Sequence, residues 1–142
     1  MKALKQAGKK IIFVNCSGSA IALTPDTETC DAILQAWYGG ESGGQAVADV
    51  LFGDYNPSGK LPITFYKSSD QLKDFEDYSM QGRTYRYMDD ALFPFGFGLS
   101  YTTFEIGKAT PDKTQIKSDE SVRLTIPVSN TGKRAGTEVI QV

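Results

Sequence analysis

Apolar positions along this chain fall into distinct regimes. From Lys10 to Asn15 the run Ile11-Ile12-Phe13-Val14 carries no polar alternation, the pattern of a buried parallel strand. Cys16-Ser17-Gly18-Ser19 then supplies turn and cap chemistry, Thr24-Pro25-Asp26 reads as another loop, and Asp31 to Tyr38 contains a second strand-like run. Between Gly43 and Phe52 the period changes. Ala46, Val47, Val50 and Leu51 recur at helical spacing and Gly53 stands just past the end, which predicts a helix over 43–52. Asn56-Pro57-Ser58-Gly59 is a turn signal, and Lys60 to Phe65 alternates as a strand. Strand–helix–strand alternation of this kind predicts an α/β layer with parallel pairing. The polar opening Met1–Lys10 reads as the end of a helix.

From Tyr66 to Phe104 the periodicity dissolves. Tyr78, Tyr85, Tyr87, Phe93, Phe95, Phe97 and Tyr101 stand here among glycines and aspartates, as in a functional or inter-domain loop. Beyond Thr103, Glu105–Thr110, Ser121–Ser129 and Thr137–Val142 read as strands, with Asn130-Thr131-Gly132-Lys133 as a hairpin-like signal. Leu124, Ile126 and Val128 alternate with Arg123, Thr125, Pro127 and Ser129, which predicts one buried face, and Pro127 predicts an edge or a bulge. Three strands begin a β-sandwich but are too few to close its core. No internal repeat or low-complexity tract interrupts the chain.

Composition narrows the function classes. The 142 residues can form one domain or two partial ones, and 40% hydrophobic with 23% charged residues is ordinary for a globular protein. A net charge of −2 gives no electrostatic case for nucleic acid or an anionic membrane, and no apolar run approaches the roughly 20 residues that span a bilayer. Cys16 and Cys30, without a histidine or a second cysteine pair nearby, make no zinc site and read as two buried thiols rather than a disulfide.

Gly40-Glu41-Ser42-Gly43-Gly44 fits the G-x-S-x-G pattern of a serine nucleophile elbow, in the strand–turn–helix setting that the pattern requires. A serine nucleophile needs a base, normally histidine, and the chain has none; no S-x-x-K pairing occurs at Ser42 either. The turn therefore reads as the entry to a helix, with Ser42 or Glu41 capping free N–H groups. It also lacks the Gly-Lys-Ser/Thr ending of a phosphate cradle. Glu41, Asp49, Asp54, Glu76, Asp77, Asp89 and Asp90 could in principle serve as a carboxylate pair for glycoside hydrolysis, but their spacing singles out no pair. Asp49 and Asp54 read as helix surface and turn caps, and Asp89-Asp90 as a solvated turn. The aromatic loop admits two readings, packing between domains or stacking on sugar rings with Arg86 reaching hydroxyls, and the first is the stronger.

The run Ala32–Gly44, the run Ala48–Pro62 (ADVLFGDYNPSGKLP), Gly82-Arg83-Thr84-Tyr85-Arg86-Tyr87 and Phe93–Thr102 (FPFGFGLSYT) together closely resemble glycoside hydrolase family 3, most of all its β-glucosidase and β-xylosidase members. Asn130-Thr131-Gly132 with Gly136-Thr137-Glu138-Val139 resembles the opening of that family's fibronectin III-like module. Gly39 departs from the pattern, since many relatives carry proline there, and this touches only the rigidity of the turn. The family plan is a (β/α)8 barrel, an α/β sandwich and often the fibronectin III-like module. The resemblance implies a partial α/β sandwich followed by an incomplete β-sandwich: the end of the sandwich domain over 1–80, an aromatic inter-domain loop over 81–103 and truncated module strands over 104–142. It further implies a segment of a retaining exo-acting enzyme that removes terminal β-linked glucose or xylose from oligosaccharides without a cofactor.

In that family the aspartate nucleophile lies in the barrel and the glutamate acid/base earlier in the sandwich. Neither motif occurs here, so no catalytic residue is assigned, no substrate-binding residue is identified, and no metal ligand is expected. Glu41 does not inherit the acid role. The expected partners are the oligosaccharide, through the parent enzyme, and the rest of the parent chain, with neither nucleic acid nor membrane. A periplasmic or secreted parent fits the class. Alone, the segment is expected to be inactive, short of core, and marginally stable or self-associating. Two other classes compete: a non-catalytic carbohydrate-binding or adhesion module, and a serine hydrolase using Ser42.

Overall fold

The computed structural model describes residues 1–142. Its first half is a small α/β unit. Helix α1 (Lys2–Gln6) leads into strand β1 (Ile12–Asn15), helix α2 (Thr24–Thr29), strand β2 (Ala32–Gln35) and helix α3 (Gly43–Phe52). β1 and β2 pair in parallel, with Ile12 opposite Ala32 and Asn15 opposite Gln35. Parallel pairing in an α/β layer is present, but its crossover is α2, where the sequence reading placed a loop, rather than helix 43–52 leading to a strand at 60–65. Asp31 extends the ladder: its N–H donates to the Ile11 carbonyl, and its carboxylate accepts the Ile11 N–H at 2.9 Å and the Lys10 ammonium at 2.9 Å. Those donors hold the Asp31 carboxyl below its usual range, the Ile11 N–H contributing most.

Thr24-Pro25-Asp26 is helix, not loop. Pro25 occupies the first turn of α2, where a missing N–H leaves nothing unsatisfied, and Asp26 complements the helix dipole there. Helix α3 has the predicted bounds and ends at Gly53, whose φ of +84° is the left-handed conformation glycine adopts without strain. Asn56–Gly59 forms no hydrogen-bonded turn; the chain reverses at Gly53–Tyr55.

Lys60–Phe65 is an extended segment rather than a strand of the layer. Phe65 pairs with Phe93 as an antiparallel bridge, and Leu61 exchanges hydrogen bonds with Phe97 and Gly96. Between these contacts Pro62 and Pro94 have no N–H to give, which interrupts the ladder. Phe65, 1% exposed, is the centre of the core. Trp37 and Phe93 meet its ring edge-on at 6.1 and 6.5 Å, and Phe97 stacks on Phe93 at 5.0 Å. Only Ile11 and Leu23 join it as buried apolar residues.

The layer is thinly covered. Ile12 in β1 is 53% exposed and only Asn15 of that strand is buried, against the expectation of a buried strand. Parallel sheets are stable when helices cover both faces, and these residues supply too little cover. Cys16 and Cys30 are free, and neither is buried as expected: Cys16 is exposed, because it follows the strand into the loop, and Cys30 is half-buried at the end of α2.

Residues 66–103 form an irregular excursion holding one 3-10 turn (Ser69–Gln71) and the single-turn helix α4 (Thr84–Tyr87). Beyond it, β3 (Phe104–Ile106) pairs antiparallel with β6 (Val128–Asn130), and β4 (Thr110–Pro111) with β5 (Leu124–Thr125). Pro127 breaks β5 from β6, as its missing donor predicts. Three expectations fail here. Leu124 and Val128 are exposed, because no second sheet lies over them. Residues 137–142 form no strand. Asn130–Lys133 closes no hairpin; the Asn130 carboxamide instead accepts from the Thr102 hydroxyl and the Gly132 N–H and donates to the Arg134 carbonyl.

The two halves meet at α3. Asn56 accepts from the Ser100 hydroxyl at 2.9 Å and the Tyr101 N–H at 2.7 Å, while its amide donates to the Ala135 carbonyl at 2.9 Å. The Tyr101 hydroxyl donates to the Val50 carbonyl, and the Arg134 guanidinium lies over the Tyr101 ring while bonding the Gly53 carbonyl. A second tie joins Lys60 to Glu138 at 2.9 Å, with side chains only 14% and 15% exposed, and Lys60 also donates to the Gly98 carbonyl. Lys60, then the Val139 N–H, holds the Glu138 carboxyl below its ordinary value of 4.5. This contribution to stability is complete above pH 4.5 and disappears as pH falls through the lower folded value. Acid unfolding of Lys60→Met, followed by circular dichroism, is therefore expected to lose that component. A titration identical to wild type contradicts it.

Candidate functional site

In a parallel layer, loops at the carboxyl ends of the strands are where ligands gather. Asn15 and Gln35 end β1 and β2 as register partners. The Asn15 side-chain amide donates to the Gln35 side-chain Oε1 and, at 3.0 Å, to the Ser17 hydroxyl, which donates onward to the Ser19 backbone carbonyl. These bonds satisfy the buried carboxamide of Asn15 and fix the loop above it. Trp37 follows with a φ of 57°, a conformation that non-glycine residues rarely adopt. That turn packs the Trp37 ring on Phe65 and sends Tyr38 outward over Gly18, where an added Cβ would come within 2.6 Å of the Tyr38 ring. Gly39 is equally tight: a Cβ there would stand 2.9 Å from Gly43 Cα, so this turn has closed past the point where a side chain fits.

Ser42 sits at the N-cap of α3 but caps it with no side-chain bond, and no acidic residue occupies the first turn, so neither Ser42 nor Glu41 plays the expected cap. With no histidine in the chain, Ser42 has no imidazole base. A fluorophosphonate probe is expected to leave it unlabelled; labelling that Ser42→Ala removes contradicts this.

The seven carboxylates scatter. Asp49 accepts from Gln45 one helical turn away, and Asp90 pairs with Lys67. Asp77 accepts the Ser79 N–H at 2.8 Å, which, with the Ser79 hydroxyl and Lys73, holds its carboxyl below the usual range. That is the direction of a structural anion rather than of a general acid, whose value is raised. No three potential metal ligands come together.

The aromatic loop divides between its two readings. Phe93 and Phe97 belong to the core cluster and Tyr101 to the joint at α3. Arg86, exposed, places its guanidinium over the Tyr87 ring at 5.6 Å. Tyr85 and Phe95 stand apart. Their rings meet at 5.3 Å on the rim of a cavity of about 600 Å³, with Met88, Pro94, Thr64 and Gln141 around it. Asn15, Gln35, Asn56 and Thr64 were not singled out by sequence; for Asn15 and Gln35 the one signal was a polar residue closing an apolar run.

A parallel βαβ unit with a polar network at its strand ends, joined through an aromatic loop to small antiparallel sheets, defines an α/β domain with an all-β extension. The chain belongs to glycoside hydrolase family 3: residues 1–101 match the glycosyl hydrolase family 3 C-terminal domain. It is 66% identical to a xylan 1,4-beta-xylosidase of Xylanibacter ruminicola over its whole length, covering 16% of that protein. Against a periplasmic beta-glucosidase of Salmonella typhimurium it is 44% identical over 99% of its length, covering 20% of the relative. The structure of beta-glucosidase 3B from Thermotoga neapolitana superposes with a TM-score of 0.79 at 34% identity, over 95% of this chain and 21% of that one. The chain thus spans about a fifth or less of these relatives.

Proposed function

We propose that these 142 residues are a scaffold segment of a retaining exo-β-glycosidase that removes terminal β-linked glucose or xylose from oligosaccharides. Family membership and the names of the relatives support the reaction class. One observation supports the role as a segment. The accessible surface is 10653 Å², whereas a folded monomer of 15.5 kDa is expected to expose about 7,200 Å². The difference, about 3,400 Å², exceeds by several fold the roughly 800 Å² that each partner buries in a standard interface. The half-covered β1–β2 pair and the exposed Phe52 and Tyr38 are surface of this kind. The occupant in this reading is the remainder of the polypeptide, carrying the barrel with its aspartate nucleophile and the earlier sandwich with its glutamate acid/base.

In the same reading, 1–80 close the sandwich domain, 81–103 form the exit loop and 104–142 open a fibronectin III-like module. The family match ending at residue 101 and the change to antiparallel pairs after Phe104 favour that division. The enzyme needs no cofactor, and a periplasmic or secreted site follows the Salmonella relative. The test uses the polypeptide that carries these residues together with its upstream coding sequence. Aryl β-xyloside and β-glucoside are expected to be hydrolysed with retention of the anomeric configuration, read by proton NMR of the first-formed sugar. Inversion, or no turnover of either glycoside, overturns the assignment.

A further inference from the structure

Between Leu72 and Arg83 the irregular excursion closes on itself as a loop whose polar groups are satisfied internally. The Arg83 guanidinium is its clasp, donating to the carbonyls of Asp77 at 2.5 Å, Ser79 at 3.0 Å and Asp74 at 3.4 Å. Asp74 and Asp77 accept the N–H groups of Glu76 and Ser79, and Lys73 pairs with Asp77 at 3.6 Å. Gly82, at φ +69°, makes the turn back into Arg83. At the base, the Thr84 N–H donates to the Tyr66 hydroxyl.

The apolar side chains of the same loop are left in water. Phe75 is 92% exposed and Tyr78 86%, and Leu72 and Met80 are exposed as well. A buried Phe or Tyr withdraws about 150–250 Å² from solvent, so these two rings leave about 350 Å² uncovered. That equals the largest apolar patch of many monomers, which is often functional. Rings held on a preformed loop lose little freedom when they dock, and such rings are the anchors on which protein interfaces depend.

We propose that this loop docks Phe75 and Tyr78 on the upstream part of the same polypeptide, at an apolar patch rimmed by lysine or arginine. The occupant rests on the reading of these residues as a segment of a longer enzyme, which the length of the relatives supports. Charge decides between this occupant and the others. Asp70, Asp74, Glu76 and Asp77 stand in the loop against only Lys73 and Arg83, and the exposed Glu76 carboxylate has no partner. A second copy meeting this loop across a twofold axis would set acids against acids. An anionic lipid surface would repel them too. A protein surface with cations at its rim accepts the rings and the acids together.

The test uses the polypeptide that joins these residues to their upstream sequence. With Phe75 replaced by the photoreactive p-benzoylphenylalanine, irradiation is expected to link position 75 to an upstream segment of the same chain, read by mass spectrometry. A link only to a second copy, only to residues 1–142 or beyond them, or no link at all overturns the proposal. Hydroxyl-radical footprinting of the unsubstituted polypeptide gives a reading that no variant can disturb. Phe75 and Tyr78 are expected to oxidise about tenfold more slowly than in the peptide released by digestion, since the centre of an interface is packed like an interior. Oxidation at the free-peptide rate overturns the proposal whatever link forms. Turnover of aryl β-xyloside and β-glucoside is measured on the same sample. Free rings in an active enzyme remove this contact and leave the glycosidase assignment standing; docked rings with no turnover of either glycoside do the reverse.

Discussion

Phe65→Ala is expected to cost about 3–5 kcal/mol, read as a fall in the urea midpoint at unchanged slope or as loss of a cooperative transition altogether. The reason is concentration. Phe65 is one of three buried apolar side chains, and both Trp37 and Phe93 rest on its ring. Removing it opens a void against two rings held by backbone they cannot leave: Trp37 by its left-handed turn, Phe93 by the bridge to residue 65. An ordinary domain has about 5–15 kcal/mol in hand, and a chain with six buried residues belongs at the lower end. Phe65→Leu keeps most of the volume and is expected to fall between the two. A Phe65→Ala protein as stable as wild type would mean that the aromatic cluster is not the core.

Asn56→Ala is the second large effect, expected at about 2–4 kcal/mol from three hydrogen bonds of roughly 1 kcal/mol each, their partners left partly desolvated. No other side chain bonds all three of α3's exit, the segment at 100–101 and the segment at 135. Asn56→Asp separates the contributions. It keeps the acceptor for the Ser100 hydroxyl and the Tyr101 N–H but loses the donor to the Ala135 carbonyl, so about a third of the loss is expected. Equal losses in the two variants would place the whole effect in the Ala135 bond. No loss in either would mean that the two halves are held by Arg134, Tyr101 and the Lys60–Glu138 pair alone.

What could be read from the residues was local. Helix α3 was legible because Ala46, Val47, Val50 and Leu51 set its period and Gly53 its end. Strands β1 and β2 were legible as apolar runs, while the helix that connects them was not. Thr24–Thr29 was misread since Pro25 looks like a breaker unless it is recognised as a first-turn residue. The alternation of Leu124, Ile126 and Val128 described a buried face, and its expected cover is absent from these 142 residues. Asn15, Gln35 and Asn56 were invisible for a different reason. Apart from the local Asn15–Ser17 bond, their partners lie 18 to 79 residues away, and nothing in a single sequence marks such contacts.

The site divides in the same way. The G-x-S-x-G elbow was legible as a turn leading into α3, but its supposed cap at Ser42 does not form. The aromatic loop was legible only as composition. Which rings pack inward and which line a cavity depends on where the segments at 65, 93–97 and 141 meet.

The central claim is that these residues carry the scaffold while the reacting carboxylates lie elsewhere in the polypeptide. Its most direct test is the turnover of aryl β-xyloside and aryl β-glucoside by residues 1–142 alone, beside the same residues joined to their upstream sequence, with contaminating glycosidase excluded. No turnover by 1–142 and hydrolysis by the longer polypeptide are the expected pair. Hydrolysis by the 142 residues alone contradicts the claim.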